Sequence, residues 1–308
     1  MKSSHWRAQV ELLLQVLPHV AKEPVFALKG GSAINLFVRS MPRLSVDIDL
    51  TYLPIEDCST AMSGIAEALG RISKRVEQIG VGYKTQRLYQ PSGKESKIVC
   101  TSSSARIKLE VNTVIRGNIF PVRTMDLAEK VETEFGKFVS MTLVSHAELF
   151  GGKICAALDR QHPRDVFDIQ QLFLHEGLGD DVILGFIEML LSHARPIHEL
   201  LKPNITDQRE AFNRQFSGMT LIPFSYDDFE VTLDRLIQEI RARLTDKQKT
   251  FLLSFKSGSP EWDLIPLELL HRLPAVQWKL ANIEKLKHQN PLKHVQQFRA
   301  LEKVLFGL

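Results

Sequence analysis

Two aspartates separated by one residue form the first group in the sequence that could do chemistry. Asp47 and Asp49 fall in an apolar run, residues 44–53, that predicts a β-strand. Because side chains alternate across a strand, both carboxylates lie on one face, where they repel each other unless a cation sits between them. A few carboxylates, completed by substrate phosphates, are the usual way in which proteins hold Mg2+. The alternative is an ordinary exposed strand face that carries two acids.

A glycine-rich turn precedes these acids. Residues 25–28 predict a short apolar strand that stops at Gly30 and Gly31, and Ser32 is placed to cap the helix that follows. Glycines let the backbone approach a phosphate closely, and the free amides at a helix start favour an anion. The turn is not a Walker loop, because Lys29 precedes the glycines instead of following them. A phosphate-binding turn next to paired carboxylates describes a nucleotide–metal site, whereas a glycine-rich end before an ordinary helix is the alternative.

A third carboxylate is available on a later predicted strand. Residues 106–112 alternate strictly between apolar and polar side chains, so Glu110 shares a face with Lys108 and Asn112. If this strand lies beside that of the two aspartates, Glu110 would complete a two-metal site, which polarises an attacking hydroxyl and stabilises the leaving oxygen. A solvated polar stripe explains the same alternation.

A second cluster of charged residues falls in a region of predicted helices. Lys153 interrupts the apolar pattern of a helix that begins at Ser145, and Arg164, Asp165 and Asp168 follow a proline break. Asp165 and Asp168 are three residues apart and therefore neighbours on one helical face. The spacing alone also allows a structural interpretation, in which Lys153 extends to solvent and Asp165 caps its helix.

The elements that must position these groups divide the chain in two. Besides the strands above, the first part predicts a helix over residues 5–21, a long helix from about 58 to 79, and a hairpin of residues 82–90 and 97–103 closed by a turn at 91–94. From residue 125 the chain predicts a series of helices, the last with a Thr-x-x-Gln capping box: 126–131, 145–158, 164–174, 181–191, 225–244 and 245–255. Within this part, residues 139–142 predict either a last strand or an extended crossover. We therefore predict an α+β fold, with an N-terminal mixed-sheet domain (residues 1–135) followed by an all-helical C-terminal domain (residues 136–308).

The composition is that of an ordinary globular chain. Among 308 residues, 44% are hydrophobic and 24% are charged, and this length favours two domains. Three cysteines far apart, Cys58, Cys100 and Cys155, fit neither a disulfide framework nor zinc-ligand spacing and indicate a reducing cytoplasm. No run of 18 apolar residues is present and the N-terminus lacks a signal-peptide pattern, so we expect no membrane partner.

The C-terminal tail is strongly basic. Residues 271–308 contain seven Lys or Arg and two acids. Clustered cations of this kind could bind an RNA backbone. A solvated amphipathic helix with Phe298, Leu301 and Leu305 turned inward is the alternative.

The order of the motifs resembles the AbiEii/AbiGii toxin family of nucleotidyltransferases. The matching segments are Gly-Gly-Ser at 30–32, Asp47-x-Asp49-Leu50, Lys153-Ile154, Pro163-Arg164-Asp165-x-x-Asp168, and the C-terminal stretches at 251–255, 260–262 and 273–282. The resemblance covers roughly residues 20–285, and its order of motifs is specific.

This resemblance implies a bilobed protein, with a polymerase-beta-like nucleotidyltransferase core and a helical lobe that contributes Lys153 and Asp168 to the cleft. Members are toxins of toxin–antitoxin or abortive-infection modules, each paired with a separately encoded antitoxin. Characterised relatives transfer a nucleotide from an NTP to the 3′ end of tRNA, which blocks aminoacylation and stops growth. We accordingly expect a cytoplasmic monomer that uses Mg2+, or Mn2+ in its place, and acts on the acceptor end of tRNA.

The resemblance also implies roles for individual residues. Asp47 and Asp49 would be catalytic and would ligate the metal. Glu110 takes the place of a third carboxylate, for which the wider superfamily more often has Asp. Asp168 would be catalytic, as would Lys153, which faces the triphosphate. The substrate would be bound by Gly30, Gly31, Ser32, Lys153 and Arg164.

Two other functions remain open at this point. The same core could modify a small molecule or a protein hydroxyl. The alternative that is not an enzyme is a binding module, which would bind RNA or protein through its basic helical lobe without catalysis.

Overall fold

The computed structural model describes residues 2–89 and 95–307. The chain divides into two compact units. The N-terminal unit comprises Met1–Ser145 with Gly218–Ile222, and the C-terminal unit comprises His146–Ser217 with Pro223–Leu308.

The N-terminal unit is built on one mixed sheet. Its strands are β1 (Phe26–Lys29), β2 (Asp47–Tyr52), β3 (Lys84–Tyr89), β4 (Glu95–Thr101), β5 (Arg106–Asn112), β6 (Arg123–Asp126) and β7 (Ser140–Leu143). The order across the sheet is β3-β4-β5-β2-β1-β7-β6. The pairs β2–β5 and β1–β7 are parallel, whereas the other neighbours are antiparallel. The predicted hairpin is therefore present as β3 and β4, while its predicted turn at 91–94 lies outside the described residues.

The helices of this unit before β3 are α1 (Lys2–Val20), the short α2 (Gly30–Ala33) and α3 (Cys58–Glu77). The two long ones, α1 and α3, pack on the sheet and on each other. The core face of the sheet includes Ile48 and Leu50, both fully buried, which alternate along β2 with Asp47 and Asp49. This alternation keeps the acids of β2 on the face opposite to its apolar side chains, as predicted.

The sequence prediction for residues 126–131 is wrong. Instead of one short helix, the chain forms the edge strand β6 and then helix α4 (Glu129–Phe135). The reason is pairing with a later segment, because β6 runs antiparallel to β7 and the Leu127 amide donates to the Val139 carbonyl. β7 thereby belongs to the sheet, and the division between the units follows it at Ser145/His146 instead of preceding it at 135/136.

The C-terminal unit is helical. Its α-helices are α5 (His146–Arg160), α6 (Pro163–His175), α7 (Asp180–Ser192), α8 (Ile197–Leu201), α9 (Arg209–Ala211), α10 (Tyr226–Arg243), α11 (Asp246–Ser257), α12 (Pro274–Gln289) and α13 (Pro291–Phe306). The predicted Thr-x-x-Gln capping box is confirmed at α11, where Thr245 and Gln248 bond to each other's backbone amides. Within the described part of the chain, no helix is long and apolar enough to cross a membrane.

Helices α5 and α7 cross with their backbones in contact. A Cβ built on Gly151 of α5 would lie 2.3 Å from the carbonyl carbon of Gly185 on α7, and a Cβ on Gly185 would lie 2.1 Å from the Ala147 carbonyl oxygen. Only glycine leaves room for this approach. Because Lys153 follows Gly151 by two residues, the crossing fixes the part of α5 that carries the lysine.

The short segment Gly218–Ile222 lies in the N-terminal unit although the chain on both sides of it lies in the other unit. The Leu44 amide donates to the Met219 carbonyl (2.9 Å), and the Leu221 amide donates to the Pro42 carbonyl (2.9 Å). An isolated bridge joins Arg43 to Thr220. The segment therefore pairs with the connector between the glycine turn and β2.

Candidate active site

The glycine turn is packed directly against the strand of the two aspartates. Gly30 has a left-handed backbone (φ +73°), and a Cβ at this position would lie 2.7 Å from Oδ2 of Asp49. A Cβ on Gly31 would lie 2.7 Å from the Ser45 hydroxyl and 2.9 Å from Nη2 of Arg43. Close contacts therefore favour glycine at both positions, and the backbone conformation favours it at Gly30 as well.

Ser32 has a different position from the predicted one. The α-helix begins at Gly30, after an extended Lys29, and runs to Ala33 before continuing as a π-helical turn, Ile34–Val38. Ser32 is thus inside the helix and fully buried, and the prediction that it caps the helix is wrong. Its hydroxyl donates to the main-chain oxygen of Asp47 and lies 3.1 Å from the Ser45 hydroxyl. Ser32 therefore ties the turn to the start of β2.

The strand that carries Glu110 lies beside β2, which is the arrangement that a third carboxylate would need. Asp49 is opposite Lys29 on β1 and opposite Glu110 on β5, and Glu110 is opposite Lys97 on β4. Residues directly opposite in a sheet share a face, so the four form one row of charges ordered plus, minus, minus, plus. Lys97 forms an ion pair with Glu110 at 2.9 Å.

These carboxylates fit a hard divalent cation only in part. Asp47 is exposed and Asp49 half-buried on one strand face, and carboxylate oxygens are the ligands that Mg2+ prefers. Among the described residues, however, no group of three or more His, Cys, Asp or Glu side chains could hold a metal ion alone. Asp47 and Asp49 therefore fit an ion whose remaining ligands are water and substrate phosphates. Glu110, the predicted third ligand, forms an exposed ion pair with Lys97, and its part in holding the metal stays a prediction.

The second cluster is a buried ion network inside the C-terminal unit. The Lys153 ammonium lies 2.8 Å from Oδ1 of Asp165 and 3.0 Å from Oδ2 of Asp168. Arg160 completes the network through a 2.6 Å contact between its Nε and Oδ2 of Asp165. Lys153 is only 6% exposed, so the alternative in which it extends to solvent is wrong.

The carboxylate of Asp165 is charged because of its partners. Burial alone would raise its pKa, but Lys153 and Arg160 outweigh burial and hold the pKa of Asp165 well below its usual range. The Asp165 carboxylate is therefore engaged by Lys153 and Arg160. The residue that caps α6 is His162 instead, whose Nδ1 accepts a hydrogen bond from the Arg164 amide at 3.1 Å. Arg164 itself is half-buried in the first turn of α6.

The predicted site residues thus fall into two groups, one in each unit. The N-terminal unit brings together Gly30, Gly31, Ser32, Asp47, Asp49 and Glu110, and the C-terminal unit brings together Lys153, Arg164 and Asp168. Their joint action in one reaction stays a prediction.

Sequence reasoning missed four residues around these groups. Ser45 and Arg43 pack on Gly31, Lys97 pairs with Glu110, and Arg160 pairs with Asp165. Two features of the sequence could have pointed to the arginines among them: the basic connector at 39–43 and the five-residue spacing from Arg160 to Asp165. Neither distinguishes a buried arginine from an exposed one.

Comparison with known proteins gives a family match and a structural match. The family described as nucleotidyl transferase AbiEii toxin, type IV toxin–antitoxin system, matches residues 11–282. Among solved structures, the fold is similar to that of MenT4, a nucleotidyltransferase toxin of Mycobacterium tuberculosis, with a TM-score of 0.60 and 13% sequence identity. The similarity covers 91% of this chain and 92% of that chain. No curated protein sequence matches.

Proposed function

Because the chain belongs to the AbiEii family of nucleotidyltransferase toxins from type IV toxin–antitoxin systems, we propose that it transfers a nucleotide from an NTP to the 3′ end of tRNA. A modified acceptor end cannot be aminoacylated, so the reaction would stop growth until a cognate antitoxin counteracts it. The observation that supports this proposal best is the contact between Gly30 and Asp49, since phosphates bound by the glycine turn would lie next to a pair of carboxylates on one strand face.

In the proposed reaction the 3′-hydroxyl oxygen of the RNA forms a bond to the α-phosphorus of the NTP. The bond from that phosphorus to the bridging oxygen breaks, pyrophosphate leaves, and the hydroxyl proton is released. Asp47 and Asp49 would hold Mg2+ or Mn2+, which neutralises charge on the phosphates when it is bound. The chain's own contribution is positional: Ser32 fixes the turn to β2, and Gly30 leaves room for the Asp49 carboxylate in its observed position.

The catalytic roles predicted for Lys153 and Asp168 form part of the same proposal. The ion network supports it, because Asp165 and Asp168 hold the lysine ammonium in one position before any substrate binds. Arg164 would assist substrate binding from the adjoining turn of α6.

Each of the four NTPs, labelled at the α-phosphate, should be incubated with the protein, Mg2+ and total tRNA, and the label should then be located. We expect label on tRNA with the native protein, and none with Asp49→Asn. Asp126→Asn is the matched control, because it removes an exposed carboxylate from strand β6 of the same sheet and should keep full transfer.

Other results of this assay would replace the proposal. Label on a small molecule or on protein would assign the acceptor to that class. If no acceptor is labelled and no NTP with Mg2+ raises the unfolding temperature, the chain is a binding module. A ligand at a hundredfold excess over its dissociation constant stabilises a protein by about 2.7 kcal/mol, so such a shift is readily measured.

A further inference from the structure

The last helix, α13, has one face in the core and one in solvent. His294, Leu301 and Leu305 are buried and Phe298 is half-buried, at the spacing of a single helix face. This inner face is held by polar contacts as well, since the His294 ring lies 3.0 Å from the Lys256 carbonyl and Lys256 donates to Gln297 at 2.7 Å. The inward packing predicted for the amphipathic helix is therefore confirmed, and α13 is a fixed part of the unit.

The opposite face of α13 is exposed and carries a row of three basic residues and one glutamine. Its residues follow one another at spacings of three or four and are all exposed: Lys293, Gln296, Arg299 and Lys303. We call these four residues the α13 stripe. With a rise of 1.5 Å per residue, the stripe is about 15 Å long from its first lysine to its last, enough to follow several consecutive phosphates of one strand.

The cations of the α13 stripe lack acidic partners among the residues described here. No carboxylate lies within 4.0 Å of the charged groups of Lys293, Arg299 or Lys303 in that part of the chain. Elsewhere, exposed helices pair their arginines along the surface, as in Arg235 with Glu239 at 2.6 Å. A face that was merely solvated would be expected to mix both signs in this way.

The charge of the whole chain is concentrated in the same region. Residues 271–308 contain seven basic and two acidic residues, a net charge of +5, whereas the complete chain has a net charge of +3. The remaining 270 residues therefore carry a net charge of −2. One of the seven, Lys279, is withdrawn from the surface, because its ammonium donates to the carbonyls of Leu190, His193 and Arg195. The surface that attracts anions is consequently local.

We propose that the α13 stripe binds the sugar–phosphate backbone of the RNA acceptor. The inference deepens the proposed function and rests on it, because it supplies a surface for RNA other than the groups that react. It does not follow from the family match, which ends at residue 282, before α13 begins. Phosphates are the partner that fits best, since the stripe presents exposed cations that pair with no acid among the described residues.

The test is direct binding of labelled total tRNA to the full protein, without NTP, at several salt concentrations. The variant Lys293→Glu/Arg299→Glu/Lys303→Glu should bind more weakly than the native protein by at least tenfold at low salt. The slope of log affinity against log salt should become shallower by about 2–3, close to one for each lost phosphate contact. The neutral triple variant with glutamine should give the same slope and an intermediate affinity.

A matched control separates the stripe from net charge. Lys130→Glu/Lys137→Glu/Lys247→Glu changes the charge equally at three exposed lysines outside α13 and should bind tRNA nearly as the native protein does. The proposal would be overturned if both triple variants bound tRNA equally weakly. It would also be overturned if the α13 variant kept the tRNA affinity and the salt dependence of the native protein. If the α13 variant binds tRNA normally but escapes neutralisation by its antitoxin, the stripe is an antitoxin surface instead.

The same measurements keep this inference apart from the proposed function. If the native protein labels no tRNA but binds tRNA through the α13 stripe, the proposed nucleotide transfer is refuted and RNA binding by the stripe is supported. If the native protein labels tRNA, and the α13 variant labels and binds it equally well, RNA binding by the stripe is refuted and the proposed transfer is supported.

Discussion

Gly30 and Asp49 lie so close together that a single added methyl group on the glycine would meet the carboxylate, since its Cβ would be 2.7 Å from Oδ2. The turn and the acid are therefore one structural unit. A change at Gly30 acts on the position of the Asp49 carboxylate, not on the backbone alone.

Gly30→Ala should abolish nucleotide transfer while costing only moderate stability. An alanine in the left-handed region costs about 1–2 kcal/mol, and the Asp49 carboxylate must also move to admit the methyl group. Gly136→Ala is the control, because Gly136 has a φ of +58° and no atom within 4 Å of a built Cβ. Both variants should lose similar stability in urea, and only Gly30→Ala should lose label transfer. Normal transfer by Gly30→Ala would contradict the site.

Two adjacent glycines of α5 should respond in opposite directions to alanine. Gly151→Ala places a methyl group 2.3 Å from the backbone of α7, and we expect a loss of about 1–3 kcal/mol or more in the free energy of unfolding. Gly152→Ala meets only Met189 at 3.8 Å and should gain up to about 1 kcal/mol of helix propensity. Urea denaturation of both variants checks this, and equal effects would show that the helices do not cross at Gly151.

Lys153→Met should destabilise the protein by about 3–5 kcal/mol, because it leaves the carboxylates of Asp165 and Asp168 buried with one cation fewer. The double variant Lys153→Met/Asp168→Asn should recover much of that loss, since Arg160 still pairs with Asp165. Thermal and urea unfolding measure the recovery. If the recovered variant still transfers no label to tRNA, Lys153, Asp168 or both act in the reaction; if transfer returns with stability, the role of this ion pair is structural.

Stability should fall at acid pH in a way that depends on Asp165. The folded-state pKa of this carboxyl is depressed, so its stabilising contribution is complete above its unfolded-state value of about 4 and is lost progressively as the pH falls below it. Asp165→Asn should be less stable than the native protein near neutral pH, and the difference should shrink between about pH 4 and pH 2. Urea midpoints across that range test the prediction, and a constant difference would refute it.

The sequence predicted best where the signal is local. The alternation over residues 106–112 gives β5 with its observed bounds, and the Thr245–Gln248 capping box marks the start of α11. Both depend on residues within a few positions of each other, for which periodicity and capping rules are sufficient.

The errors occurred where contacts join distant parts of the chain. The local pattern predicts Ser32 as a helix cap. It gives no sign of the hydrogen bond from Ser32 to the Asp47 carbonyl, because Asp47 lies fifteen residues later in the chain. β6 exists only through its pairing with β7, and Lys153 is buried only because α6 supplies two acids. Periodicity reports which side of an element is apolar, and it does not report which charged groups meet.

The pairing of Gly218–Ile222 with residues 42–44 has a consequence for dissecting the molecule. The unit that carries the glycine turn and the two aspartates is discontinuous in sequence, so no single cut in the gene can release it whole. A fragment that ends at Ser145 would lack the segment Gly218–Ile222, which pairs with the connector next to Asp47.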